Sequence, residues 1–412
     1  MNNIFKISYR NLKRNGRRTL LTTSLITLGV VFVLLYTALS GSFKNYTVGQ
    51  ITDSVMGHIQ IHKKGYVASV DNLPLDKNLN AKMLEFIESK LETNPYIASY
   101  SYRIKFGAMF SNFTSTTNIR LNAIDPEDEF ETLPLLRDRV LDMNETLKAG
   151  EIIVPELLIK GMDVKIGDTI VLVANNKSGS VNGINLKVAG ILGQVMGPGG
   201  RDGYIHMDDA KKVLRMNNEV EVSEIVLRLK DVEQLSVAEK SLQPILEKLN
   251  KEGKSVFEIH TWQQLSPFYN IIKMIDLMNV SIKIILISIV LISILNVMIM
   301  SVYERIREIG TIAAIGTPPM SIVKLFLCEG LMMGALGAFL GSLLSLGIVF
   351  ILNFVKITYS FGQQSGLVLI PKLALSDVLS VSAIVIVISL IASISPSIKA
   401  SRLDPVEALR TY

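Results

Sequence analysis

Apolar and polar positions alternate over short distances along much of this chain, but four stretches carry no charged residue at all: residues 19–43, 284–303, 330–355 and 378–398. Each has about 20 to 26 residues, enough at ~1.5 Å rise per residue for a helix to cross a ~30 Å hydrocarbon layer. Four transmembrane helices are expected. The second is taken back to residue 271 as a stalk, because Lys283 can lay its stem on apolar surface and keep its ammonium in the interface. The third is taken from residue 324. The first run is too long for a signal peptide and no small-residue cleavage site follows it, so it reads as a retained anchor.

Between the first two spans, in residues 44–270, the period changes. HIQIH (58–62) alternates as strands do, residues 81–91 repeat at helical spacing, and 97–110 alternate again. EIVLRLK (224–230) reads as strand, 232–249 as helix and 255–258 as a closing strand. KIGDTIVLVAN (165–175) and INLKVAGIL (184–192) supply β-branched runs, the first after a Gly167–Asp168 turn. These signals predict a large mixed α+β domain inserted between the first and second helices. Residues 44–115 and 223–270 are expected to form a membrane-proximal α/β subdomain, and 116–222 an inserted β-rich one.

Composition and charge then set the orientation. Of 412 residues 49% are hydrophobic and 19% charged, too apolar for an ordinary soluble protein. Segment 1–18 carries Lys6, Arg10, Lys13, Arg14, Arg17 and Arg18 with no acid, which predicts a cytoplasmic N-terminus. Four spans return 399–412, with Lys399, Arg402 and Arg410, to the same side. Linker 304–323 is then cytoplasmic, while 44–270 and loop 356–377 are periplasmic. The net charge of +5 gathers at the cytoplasmic ends, so it fits topology and contact with membrane lipid, not nucleic acid. The single Cys328 leaves the exported block to fold without disulfides, as a domain of about two hundred residues can.

Candidate chemistry is sparse. The one GK[ST] sequence, Gly253-Lys254-Ser255, has Lys248 where a phosphate-cradling loop needs its first glycine, so no ATP site is assigned. His58 and His62 share a strand face but stand far apart along it, and read as strand-surface residues, not metal ligands. His206 and Met207 have nothing to fix a ligand geometry. The carboxylates of DPEDEFE (125–131) read as a solvated turn, and no catalytic nucleophile–base set is legible. GILGQVMGPGGRDGY (190–204) predicts a protruding loop, where Met196, Gly197, Pro198, Gly199, Gly200 and Arg201 are candidates for contacting cargo or a partner. Gly330, Gly334, Gly337 and Gly341 form small-xxx-small pairs for close helix packing, either within the four spans or onto a second subunit.

The most informative stretch is YERIREIGTIAAIGTPP (303–319). It packs Glu304, Arg305, Arg307 and Glu308 into five positions, then runs through Ala313, Ala314 and Gly316 to Pro318 and Pro319. A plain connector needs only a few polar residues. This one reads as a short helix with a stop signal, an element able to dock in a partner's groove.

ERIREIGTIAAIGTPPMSIVKLFLCEGLMMGALGAFLG resembles the signature of the FtsX-like permeases, through Glu304, Arg305, Arg307, Glu308, Ile309, Gly310, Ala314, Gly316, Glu329 and Gly330. RNLKRNGRRTLLTTSLITLGV near the start and SRLDPVEALR near the end resemble the same family, and MGHIQIHKKGY is similar to its lipoprotein-releasing members, the LolC and LolE subunits. The resemblance implies a MacB-type (type VII) ABC transporter permease with four spans, working as a pair of identical or homologous subunits beside a cytoplasmic ATPase dimer. That dimer would bind ATP and Mg, leaving this chain without cofactor or enzymatic site. The linker would be the coupling helix, with Glu304, Arg305, Arg307, Glu308, Gly310 and Gly316 as ATPase-coupling residues. Members of the macrolide-exporter type carry an ATPase domain ahead of the first span, where this chain has a short basic segment; that favours the lipoprotein-release branch or an unassigned one.

The expected protein is therefore a multi-pass inner-membrane permease that transmits ATP-driven motion to a periplasmic domain acting on lipoprotein or other hydrophobic cargo, with a periplasmic acceptor as a further partner. Two alternatives stand beside it: a permease-like activator of a cell-wall hydrolase, and a MacB-like export or metal-handling system.

Overall fold

The computed structural model describes residues 2–410 apart from 15, 144–145, 194–201, 217–220, 248–252, 254 and 362–363. It divides into a helical unit, Met1–Asn45 with Lys273–Phe361 and Ser365–Tyr412, and a head, Tyr46–Ile272 with Gly362–Gln364.

The helical unit is built from α1 (Asn2–Arg14), α2 (Gly16–Ile51), α3 (Tyr269–Glu304), α4 (Ile306–Ala314), α5 (Pro319–Val355), α6 (Leu375–Ser401) and α7 (Pro405–Arg410). The long helices α2, α3, α5 and α6 outrun the charge-free runs, and α6 continues through Pro396 to Ser401. Ile26, Val30 and Leu34 of α2, Val290, Ile294 and Met298 of α3, Phe326 and Met333 of α5, and Val385 and Ala392 of α6 form one core. Leu343, Phe350 and Phe354 of α5 and Leu379 and Val387 of α6 are left exposed, an apolar exterior that lipid would solvate.

The four glycines of α5 are used inside this unit. A Cβ added to Gly330 would lie 1.9 Å from Ser393 Oγ, and one on Gly334 2.0 Å from Ser389 Oγ. On Gly337 it would meet Ile26 Cγ2 at 2.5 Å, and on Gly341 Val30 Cβ at 2.6 Å. The first pair thus seats α6 and the second seats α2. Ser389, Ser393 and Ser397 recur every four residues on the α6 face; the Ser393 hydroxyl donates to Ser389 O at 2.6 Å and that of Ser397 to Ser393 O at 2.5 Å, so neither is an unsatisfied polar group.

Among the described residues the main sheet of the head has ten strands: β1 (Ile59–Lys63), β2 (Ile97–Ser111), β3 (Thr116–Ile124), β4 (Val140–Leu141), β5 (Glu151–Pro155), β6 (Thr169–Asn175), β7 (Val181–Leu192), β8 (Asp202–His206), β9 (Glu224–Leu229) and β10 (Phe257–Thr261). They pair in the order β10-β1-β9-β2-β3-β8-β5-β7-β4, and β6 joins β2 to β7. That last pairing closes β2, β3, β8, β5, β7 and β6 into a six-stranded ring, which removes the open edges of those strands. Alternate residues such as Phe110, Leu121, Ile152, Leu172, Leu186 and Ile205 are buried in its core.

The fifteen-residue β2 does double duty. Its first half pairs with β9 and its second half with β3 and β6. The sheet is therefore continuous across residue 116, where a subdomain boundary is expected, because one strand is long enough to serve both sides. The head's largest core gathers Ile59, Ile87, Phe257 and Trp262, and the Trp262 ring meets Tyr269 edge-on at 5.7 Å.

Candidate coupling site

Arg305 separates α3 from α4, its backbone at φ −112° and ψ 17° outside the helical range. The side chain folds inward and is only 7% exposed as a residue. Its Nη1 donates to Glu329 Oε1 at 3.0 Å and Oε2 at 3.3 Å, its Nε donates to Glu308 Oε2 at 3.0 Å, and the guanidinium lies 5.8 Å from the Phe326 ring centre. Burial works against the charge, but Glu329 and Glu308 outweigh it and hold the Arg305 pKa above its ordinary value. Glu329, on α5, is itself buried and accepts a second donor, Asn11 Nδ2 of α1, at 2.9 Å. Ser8 of α1 donates to Leu325 O at 3.2 Å, and Arg14 pairs with Glu308.

The C-terminal stretch closes the other side. An added Cβ on Gly310 would stand 2.7 Å from Ala408 Cβ, so α4 and α7 touch through glycine and alanine. Asp404 opens α7, its Oδ1 accepting from Val406 N at 2.8 Å. The basic segment, the charged linker and the C-terminal SRLDPVEALR, which are remote in sequence, thus converge around one buried arginine–glutamate pair.

What remains outside is a compact mixed surface. Glu304 and Arg307 are exposed, and so are Ile312, Ile315 and Met320, Ile315 at 80%. Helix α4 ends because Gly316 takes φ +93°, a left-handed conformation suited to glycine, with its N–H donating to Ala313 O at 3.0 Å. Pro319 then opens α5 at a position that needs no backbone donor. The two prolines thus set the start of α5, while Gly316 ends the linker helix.

The structure therefore divides the linker residues. Arg305 braces the joint, Glu308 spans Arg305 and Arg14, Glu304 and Arg307 face outward, Gly310 seats α7 and Gly316 stops the helix. Met196, Gly197, Pro198, Gly199, Gly200 and Arg201 lie outside the described residues. Sequence reasoning treated 1–18 as a basic tail, and missed that Asn2–Arg14 is a helix contributing Ser8 and Asn11 to the site. A signal was present for Glu329: it is the only acid between Glu308 and Asp377, and a carboxylate beside an apolar span needs a partner.

A second charged cluster lies wholly in the head. Arg103 on β2 is 1% exposed; its Nε donates to Glu129 Oε1 at 2.8 Å and its Nη1 to Glu224 Oε1 at 3.1 Å and to Val55 O at 2.9 Å. Ser101 Oγ donates to Glu129 Oε2 at 2.6 Å, and Lys105 Nζ stands 3.2 Å and His62 Nε2 3.4 Å from Glu224. Burial alone would raise the Glu224 pKa, but Lys105, His62 and Arg103 pull it below the usual carboxylate range. The cluster grips Thr52–Met56, one π-helical turn at the end of α2. Besides Val55 O, Gln60 Nε2 donates to Met56 O at 2.7 Å and Arg139 Nη1 to Ser54 O at 3.1 Å.

This cluster corrects two expectations. His58 and His62 are buried, not on the surface, because β1 runs between β9 and β10 inside the sheet. His58 Nδ1 accepts from Leu229 N at 2.9 Å and its Nε2 faces Asp53 at 3.3 Å. Glu129 leaves the solvated turn of 125–131 because Asp125 caps a helix, Pro126–Thr132, that turns it toward Arg103. Among the described residues no three His, Cys, Asp or Glu side chains converge as a metal set.

Four long apolar helices, a mixed head inserted between the first two and a braced linker between the second and third define a multi-pass membrane protein. Residues 19–245 match the family described as MacB-like periplasmic core domain, and residues 280–405 match FtsX-like permease C-terminal. The chain belongs to this family, the type VII ABC transporter permeases of the inner membrane. It is 22% identical to the lipoprotein-releasing system transmembrane protein LolC of Neisseria meningitidis serogroup B, over 97% of this chain and 96% of that relative. It is 24% identical to the macrolide export ATP-binding/permease protein MacB of Hahella chejuensis over 98% of this chain, but spans only 59% of that protein. The periplasmic region of MacB from Actinobacillus actinomycetemcomitans superimposes on 53% of this chain and 92% of its own, at 15% identity and a TM-score of 0.35, too loosely to carry an argument.

Proposed function

We propose that this chain is the permease subunit of a mechanotransmitting ABC transporter: it relays ATP-driven closure of a separate cytoplasmic ATPase dimer to a periplasmic head that extracts or moves lipoprotein or other hydrophobic cargo. The observation that carries this reading is the linker, whose Arg305–Glu329 brace ties α4 to α5 and α1 while Glu304, Arg307, Ile312 and Ile315 stay outward. A force applied to that outer surface reaches the ends of α3 and α5 without slack. Relay of this kind requires that each of two states contact the ATPase differently. The lipoprotein cargo is supported by the relative LolC, which this chain matches along nearly the whole length of both proteins.

The test is made in the assembled complex. Arg307→Glu and Ile315→Asp are expected to leave membrane insertion and the Arg305–Glu329 brace intact, while ATP turnover no longer drives cargo release, a loss of about tenfold or more. Release at the wild-type rate per ATP would overturn the assignment of this surface.

A further inference from the structure

Where α3 and α6 end side by side there is a groove of about 410 Å3, floored by Ile299, Val302, Ile306 and Leu403 and rimmed by Tyr303, Lys399 and Arg402. Its chemistry is split. The floor is aliphatic, and no acidic side chain lines it. Lys399 is on the last turn of α6 and Arg402, three positions on, is its C-cap residue; both are exposed, and neither enters an ion pair among the described residues. Helix dipoles favour cations at C-termini, which explains why two basic residues sit there but not why an apolar slot opens beneath them.

We propose that this groove is a binding site for one phospholipid with an anionic headgroup. The occupant follows from three features together. The groove lies where two membrane-crossing helices end, which is headgroup depth whichever side of the bilayer that is. Tyr303 is the kind of amphipathic ring that settles at this depth. Two unpaired cations at the mouth of an aliphatic slot complement a phosphate joined to an acyl chain, and basic pockets between transmembrane helices recognise lipid headgroups by this combination. A free anion would leave the slot unfilled, and an apolar protein side chain would leave the cations uncompensated. The site depends only on the membrane placement of α3 and α6, not on coupling to an ATPase, so each reading can fail without the other.

Native mass spectrometry of the detergent-purified full chain, titrated with phosphatidylglycerol or phosphatidylcholine, tests it. The wild type is expected to bind one phosphatidylglycerol at least tenfold more tightly than phosphatidylcholine, and Lys399→Gln with Arg402→Gln to abolish that preference. Ile299→Trp fills the slot but keeps both cations, and is expected to cause the same loss, which preserves an answer if the double variant does not fold. Lys6→Gln with Arg10→Gln, on α1, should leave the first binding step unchanged. Equal affinity for the two lipids, wild-type affinity in the groove variants, or displacement of the lipid by inorganic phosphate alone would each overturn the proposal.

Discussion

At the residue scale, both charged clusters are buried ion pairs that lose stability when one partner is removed. Arg305 and Glu329 form a buried pair, so truncating one partner strands the other charge, at a cost of about 3 kcal/mol. Arg305→Ala should lower the melting temperature of the purified chain and loosen α4, seen as faster hydrogen exchange over 306–314, whereas Arg307→Glu should change neither. If the two variants proved equally stable, the inward role of Arg305 would be wrong. In the head, the folded pKa of Glu224 is depressed, so the stability it adds is fully present above its ordinary value of 4.5 and is lost as pH falls below it. Exchange protection of β9 should therefore decline on acidification through pH 4, and Glu224→Gln should flatten that decline while lowering protection at neutral pH. Glu329 carried a signal in sequence as a lone acid beside an apolar span, but the partners of Arg103 were not legible. Arg103 sits in an alternating strand and Glu129 in an acidic turn, and both look solvated until the sheet brings Glu224 beside them.

Among the elements, helix packing follows from which glycines have neighbours. Gly334→Ala and Gly341→Ala would force Ser389 or Val30 to move, overpacking worth about 1–3 kcal/mol each. Gly347, on the same helix, has nothing within 4 Å of an added Cβ. Gly347→Ala should be neutral or stabilise by up to ~1 kcal/mol through helix propensity. Thermal unfolding of the three variants checks the ordering, and a destabilising Gly347→Ala would break it. The spans themselves were readable because twenty uncharged positions have few other uses, and the linker helix because its charges and its Gly316 stop are local signals. The glycine–serine seam between α5 and α6, the closure of the strand ring by β6 and the docking of α1 and α7 on α4 were not, because each depends on segments far apart in the chain. The spacing of Ser389, Ser393 and Ser397 was the available hint for the first of these.

For the whole molecule, the proposed relay requires the linker surface and the head to occupy opposite compartments, the topology expected from the run of positive charge before the first span. In a Cys328→Ser background, Ile315→Cys should resist a membrane-impermeant thiol reagent in intact cells and react after lysis, while Lys165→Cys should react in both. Both positions are exposed, so burial cannot mask the result. Labelling of the two in the same compartment would undo the topology and the relay with it.

The chain has one tryptophan, and Trp262 sits in the core of the head against Tyr269. Tryptophan emission from the unmodified permease, excited selectively over tyrosine, is consequently a spectroscopic channel that originates in that domain. Paired with an ATPase whose own tryptophans have been replaced, it would let nucleotide turnover be timed against events in the head in real time, without attaching a dye.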